Sequence, residues 1–331
     1  MKRGESGLSL LVAVNKPAGM TSHDIVNRCR RIFGERRVGH TGTLDPLATG
    51  VLPICVGPAT RLGTYLTAHD KRYRTIVGFG FETDTDDIEG ERTITGVVAP
   101  DMLDGKFAAA YVGGLVGPHL QVPPHYSAIK KNGKKAYELA RAGQEVRLEP
   151  RPIEVYQAVL VDRYLEGGQL RWVVDFSVSK GTYIRALVRD MGRELGCYAH
   201  VAGLERRKSG TIALDECVSL DTLKTMGEQA ALDPVRVLGY RLLFADDKAR
   251  NVENGGKLSS RDATLYEFSA SAGSLDSCAC TSSLHVSSEP PVSDERVSIV
   301  VANRLKGIYR YDECSNVFKP DCIFSIGVAR N

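Results

Sequence analysis

The chain contains 331 residues, of which 43% are hydrophobic and 25% are charged, and its formal net charge is +3. These values are typical of a globular protein that can bury a core and form one large domain plus a smaller one. Its apolar runs are all shorter than the roughly 18 residues that span a bilayer, which excludes a membrane-spanning helix.

Basic charge is concentrated in two stretches of the chain. Residues 121–151 contain seven Lys or Arg against three Glu, and residues 180–210 contain seven Lys or Arg against three acidic residues. From residue 236 to the end, 12 basic and 12 acidic residues balance each other. The small net charge does not by itself establish a nucleic-acid partner, so the local excess is the more informative signal.

The eight cysteines are scattered and contain no C-x-x-C pair. Neither a disulfide framework nor a zinc site is predicted, and Cys278-Ala-Cys280 lacks the second pair of ligands that zinc would need. We expect reduced thiols and a cytoplasmic protein.

The first predicted elements are a strand and a helix. The apolar run LSLLVAV predicts a strand rather than a signal peptide, because it ends after seven residues without a cleavage pattern. In SHDIVNRCRRIFG, at residues 22–34, Ser22 is the expected N-cap. Apolar residues at helical spacing predict one buried face, formed by Ile25, Val26, Cys29, Ile32 and Phe33.

A glycine-rich loop is predicted at residues 37–50, before an apolar strand at 51–56. Within it, GHTGTLDP places Asp45 on a backbone that glycines allow to turn tightly and that Pro46 constrains. From these residues alone, Asp45 is either a rigidly held reactive carboxylate or a structural Asx turn that binds neighbouring amides.

Residues 71–98 predict two strands joined by an acidic turn, and the alanine-rich segment 103–112 predicts a helix. The turn clusters carboxylates of the kind that hard cations favour, at Glu82, Asp84, Asp86, Asp87 and Glu89. Their spacing departs from the EF-hand pattern, so we interpret the segment as a structural turn and predict no metal.

Residues 121–146 begin with prolines, cross a basic turn and end in a predicted short helix, which is the composition of a projecting element. The next segment, RWVVDFSVSKGTYIRALVRDMGRELG, changes from strand to helical periodicity at Gly181. Tyr183 and Arg185 are therefore expected in or near the first turn of a helix.

Composition changes after about residue 240, where we predict a small β-rich domain. Its best strand candidates are RVSIVVANR and FKPDCIFSIGVA. Residues 268–293 are rich in Ser, Ala and Pro, which predicts a flexible loop.

Several of these segments resemble, in the same order, the motifs of the TruB family of pseudouridine synthases, the enzymes of the tRNA T-loop uridine. The longest similar run is GHTGTLDPLATGVLPICVGPATRL, which contains Asp45. The others are NKPAGMTSHDIV, KRYR, ETDTDDIEGE, VPPHYSAIKKNGKKAYELAR, SKGTYIRALVRDMG and AHVAGLERRKSG. The resemblance covers roughly residues 8–215 and favours the reactive carboxylate over the Asx turn.

The resemblance implies three catalytic residues. Asp45 is expected to be the nucleophile that attacks either C6 of uracil or C1′ of the ribose. Arg185 is expected to pair with Asp45 and keep it ionised, and Tyr73 to stack on the target base. Without the resemblance, a surface arginine and a packed tyrosine would fit these two positions as well.

Further matching residues are expected near the RNA or the base. His40 is expected to contact the opened T-loop, although a structural role for this histidine fits equally well. Lys16 is expected to support the site, and Leu204 is expected to line the pocket. Segment 123–147 resembles the family's thumb-like RNA clamp. The remaining predicted RNA- or base-binding residues are Tyr183, Lys130, Lys131, Lys134 and Lys135.

The resemblance implies an α/β (α+β) pseudouridine synthase fold around a mixed, largely antiparallel sheet. We predict a catalytic domain at residues 1–238 and a small β-rich, PUA-like domain at 239–331. The expected function is isomerisation of uridine 55 in the tRNA T-arm by base flipping, with no cofactor, metal or guide RNA, in a monomer. Two alternatives remain open: a non-catalytic tRNA-folding chaperone that uses the same groove, and a metal-dependent RNA hydrolase that uses the acidic turn.

Overall fold

The computed structural model describes residues 6–127, 129–131, 134–136, 139, 148–261, 263–269 and 283–330. The chain forms two compact units. The first contains Met1–Pro46, Gly50–Ala68 and Ser209–Asn331, and the second contains Leu47–Thr49 and His69–Lys208. The predicted division of the chain at residue 238 stays a prediction.

The N-terminal part of the first unit is a small antiparallel sheet with one long helix. Strand β3 (Thr49–Val56) pairs with β1 (Leu10–Lys16) and with β2 (Val38–His40). Strand β2 therefore lies inside the segment that the sequence predicts as a loop. Helix α1 (Ser22–Phe33) buries four of the five predicted apolar residues, and Ile32 is half-buried.

The N-cap of α1 is Thr21, so the prediction of Ser22 is wrong. The Thr21 hydroxyl accepts from the Asp24 amide, while the Asp24 carboxylate accepts from the Thr21 amide. This reciprocal capping box satisfies two groups at the helix start. Ser22 is the first helical residue, and its buried side chain is free to bond elsewhere.

After β3, the chain forms a 3₁₀ turn (Gly57–Leu62) and α2 (Gly63–Leu66). It returns to this unit through β13 (Ile212–Ala213), α5 (Leu220–Met226) and α6 (Pro234–Leu238).

The C-terminal part of the first unit is a second sheet, whose strand order is β15-β20-β19-β18-β14-β16-β17. Its elements are β14 (Arg241–Phe244), α7 (Ala249–Glu253), β15 (Leu258–Ser259), β16 (Leu265–Phe268), β17 (Leu284–Val286), β18 (Arg296–Val301), β19 (Arg304–Asp312) and β20 (Val317–Ala329). Both predicted strands, now β18 and β20, are confirmed. Strand β17 lies inside the predicted loop 268–293 and pairs with β16.

The two ends of the chain share one hydrophobic core in this unit. Leu11 and Val51, from the first sheet, belong to the same buried cluster as Leu305 and Phe324, from the second. The Ala329 amide also donates to the Ser9 carbonyl at 2.9 Å. The C-terminal sheet therefore packs on the N-terminal strands.

The second unit is built on a sheet with the strand order β12-β4-β11-β10-β7, in which β4, β11, β10 and β7 pair antiparallel. Its strands are β4 (Lys71–Phe79), β5 (Phe81–Thr83), β6 (Arg92–Thr95), β7 (Gly117–Gln121), β8 (Lys130–Lys131), β9 (Lys134–Lys135), β10 (Arg151–Glu166), β11 (Gln169–Val178) and β12 (Ala199–Ser209). Its helices are α3 (Gly105–Gly114), which the alanine-rich composition predicts, and α4 (Ile184–Glu194), which the periodicity predicts.

The predicted α/β fold with mixed, largely antiparallel sheets and a β-rich C-terminal part is confirmed; β14 and β18 form a parallel pair. Among the described residues, no helix is both long and apolar enough to cross a membrane.

Candidate active site

The Asp45 loop is held from both sides by side chains and backbone of the first unit. The Ser22 hydroxyl accepts from the Leu44 amide at 2.8 Å and donates to the Leu44 carbonyl at 3.0 Å. On the other side of Asp45, the Pro46 carbonyl accepts from the Lys16 ammonium at 3.2 Å and from the Gly19 amide at 2.9 Å. These four hydrogen bonds fix the peptide groups that flank the half-buried Asp45.

Lys16 is fully buried, which is rare for a lysine and requires compensation. Besides the Pro46 carbonyl, its ammonium donates to the carbonyls of Pro17 at 2.8 Å and Met20 at 2.6 Å. Three backbone oxygens thus replace water around this cation, and they tie the end of β1 to the Asp45 loop.

Two glycines with positive φ lie in the loop and at its end, where β3 begins. Gly42 has φ 130° and Gly50 has φ 99°, values that side chains with a Cβ rarely adopt. Gly39 lies on β2 instead, and the next residue, His40, is half-buried opposite Ile54 of β3. The loop that carries Asp45 therefore begins directly after a paired strand.

Tyr73 and Leu204 lie on strands of the second unit. Tyr73 is buried on β4, opposite Phe176 of β11. Leu204 is half-buried on β12, and its carbonyl accepts from the Thr49 hydroxyl at 3.5 Å, four residues beyond Asp45 in the chain.

Arg185 is buried in the first turn of α4, as predicted, and has several partners in the second unit. Its guanidinium donates to the carbonyls of Thr85 at 2.8 Å and Tyr126 at 2.9 Å. It also lies 3.6 Å from the buried carboxylate of Asp87. Asp45 belongs to the other unit, and its pairing with Arg185 stays a prediction.

Sequence reasoning missed Asp87 as a partner of Arg185, although a signal was available. Arginines recur on α4 at a spacing of four residues, which places them on one helix face. Each faces one carboxylate of the acidic turn: Arg185 faces Asp87, Arg189 faces Asp86 at 3.2 Å, and Arg193 forms two bonds of 2.6 and 2.8 Å with Glu82. These contacts agree with the interpretation of the acidic segment as a structural turn.

Asp86 stands out within this ladder of ion pairs, which joins α4 to the acidic turn. Its φ of 62° is unusual for a residue with a side chain. Burial raises its pKa from 3.8 to about 6, more strongly than the nearby Arg189 and Arg185 lower it. Arg189 also donates to the Val122 carbonyl at 2.9 Å, where the thumb-like segment begins.

Tyr183 is the N-cap residue of α4, and its backbone is clamped by a side chain that the sequence did not indicate. The buried Gln121 amide accepts from the Tyr183 amide at 2.9 Å and donates to the Tyr183 carbonyl at 3.1 Å. The end of β7 thereby positions the helix that carries Arg185.

In the predicted thumb, the backbones of β8 and β9 pair antiparallel. The side chains of Lys130, Lys131, Lys134 and Lys135 and the predicted short helix lie outside the described residues, so these predictions stay predictions.

Two family models match adjacent parts of the chain. The model described as TruB family pseudouridylate synthase (N terminal domain) matches residues 30–184. The model described as tRNA pseudouridylate synthase B C-terminal domain matches residues 185–236. The boundary between them falls in the first turn of α4.

Proteins named tRNA pseudouridine synthase B are similar over most of the chain. The one from Bacillus cytotoxicus is 43% identical over 262 residues, which cover 74% of this chain and 82% of the relative. The one from Bacillus subtilis is 40% identical over 258 residues, covering 75% and 82%.

Solved structures support the fold over nearly the full length. The crystal structure of a Cbf5-Nop10-Gar1 complex contains a chain that is 21% identical, with a TM-score of 0.64 over 96% of this chain and 85% of that one. An H/ACA RNP bound to a substrate RNA containing 2′-deoxyuridine gives 19% identity and a TM-score of 0.63, over 95% and 84%. With two matching family models and relatives at this identity, the chain belongs to the TruB family of pseudouridylate synthases.

Proposed function

We propose that this protein is a tRNA pseudouridine synthase that isomerises uridine 55 of the T-loop, with Asp45 as nucleophile. Membership of the TruB family supports the reaction and the substrate. The observation that best supports Asp45 as the nucleophile is the set of four hydrogen bonds to Leu44 and Pro46. A nucleophile must be held in place before the substrate arrives, and these bonds do so without using the carboxylate itself.

The proposed reaction is an isomerisation and needs no oxidant or reductant. The Asp45 carboxylate forms a covalent bond to C6 of uracil or to C1′ of the ribose, and the bond between C1′ and N1 breaks. The ring turns, C5 bonds to C1′, and the bond to Asp45 is released. C5 loses a proton and N1 gains one, so product and substrate contain the same atoms.

Other residues support this reaction through their charge and shape. Arg185 keeps the carboxylate ionised inside a base pocket, where burial alone would favour protonation. Tyr73 stacks on the flipped uracil and is placed to assist loss of the C5 proton. His40 contacts the opened T-loop, Leu204 lines the pocket, and Tyr183 lies beside the base.

The proposed partner is tRNA alone, bound at its T-arm and elbow without a guide RNA. The lysines of segment 123–147 contact phosphates and Lys16 supports the Asp45 loop. We further propose that the enzyme works as a monomer in the cytoplasm, without a cofactor; the free thiols of Cys29, Cys55 and Cys197 are consistent with a reducing compartment.

The decisive test is single-turnover reaction with an unmodified tRNA transcript in the presence of a chelator, with pseudouridine mapped at each nucleotide. We expect product at position 55 with the wild type and a loss of at least about 1,000-fold in rate with Asp45→Asn, because the amide is no nucleophile. Asp45→Asn should still bind tRNA.

Two outcomes would overturn the proposal. If the wild type forms no pseudouridine but refolds the transcript, the chaperone alternative gains support. If RNA is cleaved and chelator stops the cleavage, the hydrolase alternative does.

A further inference from the structure

A cleft of about 1000 Å³ opens in the first unit between the end of α1, the start of β2 and the 3₁₀ turn after β3. Three arginines dominate its lining. The lining residues are Arg30, Arg36, Arg37, Val38, Gly39 and Thr60. The remaining three lining residues are small or neutral, so the cleft has room beside a concentrated positive charge.

Arg30 and Arg37 are oriented by neutral acceptors. The Arg30 Nε donates to the Arg36 carbonyl at 3.1 Å, and its NH1 donates to the Asn27 side chain at 2.9 Å. The Arg37 Nε donates to the Thr60 hydroxyl at 2.9 Å. Within the described part of the chain, neither guanidinium forms an ion pair, so both are fixed in direction while their charge stays unneutralised.

Other arginines of the same unit behave differently. Arg241 makes two bonds to Glu295, at 2.7 and 2.6 Å. Arg330 likewise forms a charge pair with Asp233 at 2.8 Å. Arg241 and Arg330 are thus matched by carboxylates, unlike Arg30 and Arg37.

Glu35 lies close to the cleft without lining it. Glu35 is buried, and its carboxylate accepts from the Arg37 amide at 2.9 Å and from the Ser6 hydroxyl at 2.7 Å. Glu35 thus accepts from a backbone amide and a hydroxyl, and the positive charges of Arg30 and Arg37 remain at the lining of the cleft. A guanidinium prefers planar oxygen pairs, and phosphate is the anion that RNA offers everywhere along its strand.

We propose that this cleft binds the phosphates of the tRNA strand that reaches the catalytic loop. The argument is one of continuity, because Val38 and Gly39 line the cleft, His40 follows on the same strand, and Asp45 lies on the loop beyond. Phosphates held here would set the register of the strand, while the catalytic loop acts on the base. This assignment rests on the proposed function.

The test compares two double variants. The cleft pair combines Arg30→Gln with Arg37→Gln, and the control pair combines Arg28→Gln with Arg31→Gln. Arg28 and Arg31 are exposed on α1 and do not line the cleft, so they make a control matched in charge. Binding of a labelled, unmodified tRNA and of an isolated T-arm hairpin is measured across a range of salt concentrations. The wild type's pseudouridine formation is measured separately.

For the cleft pair, we expect binding of both RNAs to weaken at least about 10-fold and the slope of log K against log salt to become shallower by about 1 per arginine. The control pair should keep a slope close to that of the wild type. The lysine pair, which combines Arg30→Lys with Arg37→Lys, should restore the wild-type slope, because counterion release depends on charge. This variant therefore distinguishes an electrostatic effect from a loss of structure.

The proposal fails if the cleft pair keeps the wild-type slope, if the control pair changes it equally, or if the lysine pair does not restore it. A loss confined to full-length tRNA overturns the assignment to the strand at the target. Each of these results would overturn the cleft assignment even if the wild type forms pseudouridine at the normal rate. Absence of pseudouridine with the wild type instead contradicts the proposed function.

Discussion

At the residue scale, the position of Asp45 depends on two side chains that are distant from it in sequence. Ser22 holds the Leu44 peptide, and Lys16 holds the Pro46 carbonyl. Leu44 is buried, so its amide and carbonyl would have no water to replace the serine. An unsatisfied buried group of this kind costs about 1–3 kcal/mol, and a displaced loop moves the nucleophile as well.

Ser22→Ala should therefore lower kcat, with little effect on KM for tRNA. We expect a reduction of about 10- to 100-fold, since a displacement near 1 Å can have this effect. Thr21→Ala is the matched control, because it removes the helix cap but leaves Leu44 untouched. It should destabilise the protein by about 1 kcal/mol and leave kcat unchanged. Equal kcat losses in the two variants would contradict the role of Ser22; thermal melting and steady-state kinetics provide both measurements.

At the element scale, α4 is bound to the acidic turn by three successive ion pairs. The helix also holds backbone carbonyls of Val122 and Tyr126, at the start of the thumb-like segment. Buried carboxylates and guanidiniums stabilise such an arrangement only when nearly every hydrogen bond is made. Asp86 carries a clear electrostatic cost, since burial raises its pKa to about 6.

This raised pKa predicts a pH dependence of stability. The folded protein retains the Asp86 proton up to about pH 6, whereas the unfolded chain releases it near pH 3.8. The stabilising contribution of the protonated form is thus complete below pH 3.8 and disappears as pH rises through about 6. The shift corresponds to roughly 2–3 kcal/mol, at 1.36 kcal/mol per pKa unit.

We expect the stability of the wild type, relative to Asp86→Asn, to fall by that order of magnitude between pH 4 and pH 7. Asparagine accepts positive φ and does not titrate, so the backbone should persist. Glu89→Gln, which removes an exposed carboxylate of the same turn, should keep the wild-type profile. Urea denaturation at a series of pH values measures these differences, and parallel profiles for the wild type and Asp86→Asn would refute the assignment.

At the scale of the whole molecule, the last strand of the chain contributes to the hydrophobic core of the first unit. Phe324 and Val328 of β20 lie in one buried cluster with Leu11 and Val51. A separate cluster, which includes Phe318 and Tyr309, stabilises the C-terminal sheet itself. The C-terminal sheet therefore has a core of its own and also completes the core of the N-terminal strands.

Phe324→Ala should destabilise both ends of the chain, by about 3–5 kcal/mol for loss of a buried phenylalanine. Hydrogen exchange should accelerate in β1 and β3 as well as in β19 and β20. Phe318→Ala is a control of the same size, fully buried but confined to the other cluster. Its faster exchange should stay in the C-terminal sheet, and unchanged exchange of β1 in Phe324→Ala would contradict a shared core.

Much of this structure follows from local sequence. Periodicity predicts α1, α4 and the two longest apolar strand candidates of the C-terminal sheet, because a helix or strand with one buried face repeats its apolar residues at a fixed interval. Gly42 and Pro46 indicate a constrained loop around Asp45, and the motifs shared with the TruB family indicate its chemistry. These signals lie in adjacent residues, so the sequence alone determined them.

Only the tertiary structure decided which residues hold these elements in place. Ser22 bonds Leu44 rather than capping its own helix, Asp87 contacts Arg185, and Gln121 clamps Tyr183. Arg30 and Arg37 line a common cleft, while Phe324 joins the core of β1. Each of these contacts links segments through the packing of side chains and buried hydrogen bonds. Their partners depend on how the chain folds back on itself, which no local pattern encodes.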